Sequence, residues 1–230
     1  MHIFKFIFFL MLLSPLIHSF EEGAIYNEDI KIIYRDYGPK DAEPIVLVQG
    51  LGGQLINWPD HLIDFLIENN FRPIVFDNRD SGLSSKIKSD MFKEGNRSKT
   101  INSTYLKYYL MLPIDPPYTL DDMAEDVILI LNKLEIKESH LLGMSMGGMI
   151  AQIVAANHPD RIKSFTLIAS SISAPSPLNG PTRDVRRLLM KRSNNPNASI
   201  EERIERSKKI FRLIGLDGYD LDTEEFYSKS

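Results

Sequence analysis

The segment Gly143-Met144-Ser145-Met146-Gly147, with Gly148 directly after it, narrows the possible folds of this chain more than any other feature. Residues 139–144 before it read as a short apolar strand, and residues 146–158 after it read as a helix. A serine with glycines on either side at such a junction sits on a sharp strand-to-helix turn. The turn forces its backbone into a strained conformation, and larger side chains at Gly143 and Gly147 would collide with the neighbouring helix or strand. Ser145 is therefore the candidate nucleophile. The competing reading is a glycine-rich turn with no chemistry.

The rest of the chain supplies a frame for that turn. Residues 28–37 alternate as a strand does, and residues 38–39 (Gly-Pro) end it. Residues 44–49 and 72–77 are short and almost wholly apolar, as expected of strands covered on both faces. Residues 162–169 form a further strand. Between the strands fall helices over 58–69, with Leu62, Phe65 and Leu66 on one stripe, and over 119–134, with Met123, Val127, Ile130 and Leu134 buried. Thr119 and Asp122 stand at capping-box spacing. Residues 78–117 are irregular, apart from a short helix over 104–112. This alternation predicts an α/β fold, with a mostly parallel sheet flanked by helices. From residue 171 the pattern changes to a Pro-rich linker and then to helices over 182–191 and 199–213. The expected units are 1–19, 20–170 and 171–230.

Residues 1–19 differ in kind from the remainder. A Lys and a His precede eight continuous apolar residues, then Ser14-Pro15 and a short segment fit for cleavage. That is the layout of a secretory signal peptide, and it predicts a secreted or periplasmic protein. The apolar run is well short of the roughly 20 residues that span a bilayer, so no stable membrane span is expected. An uncleaved N-terminal anchor and a misassigned start are the rival readings.

Several function classes drop out on composition. The formal net charge of -4 gives no basic footprint for nucleic acid. The absence of cysteine removes disulfides, thiolate nucleophiles and zinc–thiolate sites. No metal-ligand constellation, phosphate loop or dinucleotide fingerprint is present, so no cofactor is implied. Arg183, Arg186, Arg187, Lys191 and Arg192 read as a solvated helix face. Phe92, Tyr105, Tyr108, Tyr109 and Tyr118 either line an apolar pocket or simply pack.

Gln49-Gly50-Leu51-Gly52-Gly53 follows the strand at 44–49. A serine on such an elbow draws one oxyanion donor from the residue after it and one from a loop after an earlier strand. Those donors would be the Met146 and Leu51 backbone amides, with Gly50 and Gly52 giving the loop its turn. Backbone donors suit the task because they are fixed before charge develops. A plain strand–helix turn is the alternative.

These segments, in order with residues 76–84 (Phe-Asp-Asn-Arg-Asp-Ser-Gly-Leu-Ser), residues 143–152 and residues 158–161 (His-Pro-Asp-Arg), make the chain resemble the α/β-hydrolase superfamily. Within it they are similar to the esterase-like group that includes aclacinomycin methylesterase. The resemblance runs from about residue 30 onward. It implies that Ser145 attacks a small-molecule carboxylic ester and forms an acyl-enzyme. It implies that residues 77–84 are a structural turn bracing the nucleophile region. It also implies that the helices after residue 171 belong to a cap. Gln49 stands where many members have His. The superfamily order is Ser, then Asp or Glu, then His, with the last two following the cap. Here His158 lies at the far end of the helix that Ser145 begins, roughly 20 Å away. His61 and His140 have no evident path to Ser145. Asp217 and Asp220 are candidate acids by elimination only. The expectation is a fragment, truncated after the cap helices, with the acid and His beyond Ser230 and an apolar sheet edge left open. Alternatives on the same fold are a catalytically inactive relative, or a proline-iminopeptidase-like, lactonase or C–C bond hydrolase activity.

Overall fold

The structure is a computed structural model that describes residues 19–27, 30–87, 103–104, 106–172, 182–185 and 199–214. The signal-peptide segment lies outside the described residues, apart from residue 19. So do Phe92, Tyr105, the linker prolines, Arg186, Arg187, Lys191, Arg192, Asp217 and Asp220.

The chain order is β1 (Phe20–Asn27), β2 (Ile30–Tyr37), β3 (Glu43–Val48), α1 (Asp60–Glu68), β4 (Phe71–Phe76), α2 (Leu120–Lys133), β5 (Ser139–Met144), α3 (Met146–Asn157), β6 (Ile162–Ile168) and α4 (Ile200–Ile214). Six strands form one sheet in the order β1-β2-β4-β3-β5-β6. β3 pairs in parallel with β4 and β5, and β5 pairs in parallel with β6. β1–β2 and β2–β4 are antiparallel.

The apolar strands are apolar because both of their faces are covered. Val46 and Val48 of β3 join Ile74 and Phe76 of β4 under α2 and α3, against Val127, Ile130, Leu131, Ile150 and Val154. Ile45 and Leu47 point the other way and meet Leu55, Trp58, Ile63 and Leu66 around α1. This two-residue period splits one strand between two cores. Each such side chain contributes about 1.5–3 kcal/mol on full burial. α2 begins where the sequence places it. Thr119 Oγ1 accepts from the Asp122 N–H, and Asp122 Oδ2 accepts from the Thr119 N–H at 2.6 Å.

Two sequence readings need correction. β1 carries no strand signal in the sequence: Phe20–Asn27 has no clean apolar alternation because it is an outer strand of the sheet with mostly exposed side chains, and pairing with β2 defines it. On α1 the buried positions are Ile63 and Leu66, while Phe65 is exposed. Of the stripe read at Leu62, Phe65 and Leu66, Leu62 and Leu66 pack into the core with Ile63 and Trp58, while Phe65 faces outward.

One ion pair ties the antiparallel half together. Arg72 of β4 donates from Nε and Nη2 to the two carboxylate oxygens of Asp36 at 2.8 and 2.7 Å, and Lys40 donates to the same carboxylate at 2.6 Å. Burial pushes the Asp36 carboxyl up, but the hydrogen bonds from Arg72 and Lys40 outweigh it and hold it below the usual carboxylate range. At the other side of the described sheet, β6 pairs with β5 and leaves Phe165, Leu167 and Ile168 exposed. Among the described residues no helix is long and apolar enough to cross a membrane.

Candidate active site

Ser145 occupies the single residue between β5 and α3, at φ 53° and ψ −119°. A non-glycine residue holds positive φ only when its surroundings over-determine it. Here four hydrogen bonds do so. The Ser145 N–H donates to the Ile168 carbonyl at 2.9 Å. Its carbonyl oxygen accepts from the Ser170 hydroxyl at 2.8 Å and from the N–H groups of Gly148 and Met149 at 3.0 and 3.4 Å. The side chain is left exposed at the C-terminal end of the sheet.

The flanking glycines permit this close packing. A methyl group on Gly143 would lie 2.6 Å from the Gly148 Cα. One on Gly147 would lie 2.7 Å from the Gln49 carbonyl oxygen and closer still to that of Val48. One on Gly50 would lie 3.1 Å from the Ser145 Cβ, so the loop after β3 runs directly beside the nucleophile candidate. That loop closes on itself: the Gly53 N–H donates to the Gly50 carbonyl at 3.1 Å, and Gly52 takes φ 74°.

Residues 77–84 fasten the loop. Asn78 Nδ2 donates to the Gln49 carbonyl at 3.0 Å, and the Ser81 hydroxyl donates to the Gly53 carbonyl. The buried Asp77 carboxylate accepts from the Leu55 N–H and the Leu83 N–H, both at 2.8 Å. The Gln49 side chain is buried and folds over Gly53, and its Nε2 has no hydrogen-bond partner among the described residues.

A cavity of about 700 Å³ opens beside this arrangement. Leu51 and Met146 both contribute to its wall, together with Ile87, Pro117, Tyr118 and Met123. Arg79 lies in the wall and grips α2. Its Nε and Nη2 each donate to the Asp126 carboxylate at 2.8 Å, and Nη2 also donates to the Asp122 carbonyl at 3.0 Å. Its guanidinium carbon sits 5.3 Å from the centre of the Tyr118 ring. Burial pushes the Asp126 carboxyl up, and Arg79 pulls it back only in part. Of the aromatic cluster read from sequence, Tyr118 lines the cavity. Tyr108 and Tyr109 pack edge-on against each other elsewhere.

Thus Ser145, Gly50, Gly143 and Gly147 come together, and Leu51 and Met146 share a cavity wall. Gly52 shapes the turn. The described histidines do not join them. His158 Nε2 is 2.8 Å from Glu125 at the far end of α3. His140 Nδ1 is 2.7 Å from the Ser164 hydroxyl, at the start of β5 and about 16 Å of strand from Ser145. His61 lies on α1. Among the described residues no group of His, Asp and Glu could hold a metal ion. Sequence reasoning missed Ser170. Its only signal is parallel register: Met144 pairs with Ile168, which brings the residues just after β6 beside the elbow.

A family model described as alpha/beta hydrolase fold matches residues 43–203. Rhodomycin D methylesterase DnrP of Streptomyces peucetius is 24% identical over 217 residues, which is 88% of this chain and 65% of that protein. Rhodomycin D methylesterase DauP of Streptomyces sp. (strain C5) is 26% identical over 203 residues, 82% of this chain and 60% of that protein. The chain therefore spans 60–65% of the length of these curated relatives. Among solved structures, a carboxylesterase of the thaumarchaeon Nitrososphaera gargenis shares the fold with a TM-score of 0.61 at 20% identity, covering 90% of this chain and 65% of that one.

Proposed function

This chain belongs to the α/β-hydrolase family, and from that premise we propose that it is an esterase that hydrolyses small-molecule carboxylic esters with Ser145 as nucleophile, as its methylesterase relatives suggest. The observation that carries the reading is an exposed serine held at positive φ by hydrogen bonds to its own peptide groups. In the proposed reaction Ser145 Oγ attacks the ester carbonyl carbon and passes its proton to a base. The Leu51 and Met146 amides stabilise the oxyanion. The alcohol leaves with a proton, and water then hydrolyses the acyl-enzyme. The base and its acid partner are proposed to come from sequence outside these 230 residues, and export through the N-terminal segment is proposed as well.

Labelling the native protein with a fluorophosphonate, together with hydrolysis of p-nitrophenyl butyrate, tests this. The expected result is label on the peptide carrying Ser145, with label and hydrolysis both lost in Ser145→Ala. Hydrolysis that survives Ser145→Ala overturns the assignment. A second reading, binding without turnover, is favoured by one observation: His140 and His158 are engaged with Ser164 and Glu125, away from Ser145. A native protein that fails both assays supports that reading.

A further inference from the structure

The cavity beside Ser145 carries more information than its position. We propose that it receives a neutral, flat apolar arm of the ester, a deepening that rests on Ser145 as nucleophile. Its volume of about 700 Å³ is that of a pocket for a drug-sized group and far exceeds what an acetyl or methyl group fills. Pro117 and Tyr118 offer ring surfaces, and Met123 and Met146 supply thioethers that adapt to aromatic faces and edges. Charge selects the occupant. Among the described residues of this wall the cation is Arg79, and both nitrogens that face Asp126 are taken by its carboxylate, with one also bonded to the Asp122 carbonyl. The guanidinium lies over the Tyr118 ring. Asp80, also in the wall, is exposed and carries a carboxylate. An anionic arm would therefore meet a neutralised cation and a like charge, while a neutral ring system buries apolar area at no ionic cost.

Isothermal titration calorimetry of the native protein with 2-acetonaphthone, a neutral flat ketone that is not hydrolysed, tests this against 2-naphthoate, the anion of the same skeleton. The ketone is expected to bind at least tenfold tighter than the anion. Tyr118→Ala is expected to weaken the ketone at least fivefold and Tyr118→Phe to keep it within twofold. Ile87→Trp, at a half-buried position of the wall, narrows the cavity and also weakens the ketone. Melting curves verify that each variant is folded. Equal or tighter binding of 2-naphthoate overturns the proposal, and so does ketone binding that neither Tyr118→Ala nor Ile87→Trp alters. The two readings separate cleanly. Ketone binding without fluorophosphonate label at Ser145 keeps the cavity assignment and removes the nucleophile. Label at Ser145 without ketone binding does the reverse.

Discussion

The hydroxyl of Ser170, just past β6, donates to the carbonyl oxygen of Ser145 at 2.8 Å, so the neighbouring strand holds the elbow from outside. Ser170→Ala removes that donor. Loss of one such hydrogen bond costs about 1 kcal/mol, a drop of about 2–4 °C in melting temperature for a domain of this size. Ser170 bonds the Ser145 main chain, so the proposed esterase should lose kcat with KM nearly unchanged. Steady-state kinetics with a short p-nitrophenyl ester would show the split, and Ser170→Thr should restore most of it.

Strain at Ser145 can be measured apart from chemistry. Its φ of 53° favours glycine. Ser145→Gly and Ser145→Ala both remove the hydroxyl, but only the first relieves the backbone. The glycine variant should exceed the alanine variant in stability by about 1 kcal/mol, read from urea denaturation midpoints at equal m-values.

Gly147 packs against the main chain of Val48 and Gln49. A methyl there meets rigid peptide groups, not a mobile side chain. Gly147→Ala should cost more than about 3 kcal/mol. It should also displace the loop after β3, with amide shifts at residues 48–53 in a heteronuclear spectrum of whatever fraction folds.

Asp36 gives the acid side of the stability profile. Its carboxyl is held below the usual range in the folded chain, so the stabilisation it contributes is complete above the ordinary carboxylate pKa of about 4. It is lost as pH falls through the lower folded value. Asp36→Asn leaves Arg72 buried without its counter-charge. It should cost about 3–5 kcal/mol at pH 7, with a gap from the parent that narrows below about pH 4. Denaturation curves at stepped pH would reveal this convergence.

The central strands and the elbow were legible because their signals are local. Two-sided burial makes residues 44–48 and 72–76 continuously apolar, and close packing demands glycine at 143 and 147. β1 was not legible because an exposed outer strand has little to bury, and its pairing with β2 is a matter of register. Phe65 on α1 is exposed although Leu62, Ile63 and Leu66 pack inward, because apolar spacing alone does not fix which edge of the stripe faces the sheet. At the site, Ser145 and the loop glycines could be read from spacing. Ser170 and the clasp of Arg79 on Asp126 could not. Both join residues that only sheet order brings together.

Asp77 has one carboxylate and two backbone clients, Leu55 and Leu83. One client follows the loop beside Ser145, and the other belongs to the segment leading to Ile87 on the cavity wall. With Asn78 and Ser81, which donate to the Gln49 and Gly53 carbonyls, this buried side chain couples the two segments mechanically. Under the proposed function, this coupling constrains the spacing between Ser145 and the cavity wall at Ile87. Substitutions in residues 83–87 would then reach Ser145 through one shared carboxylate, without touching the elbow itself.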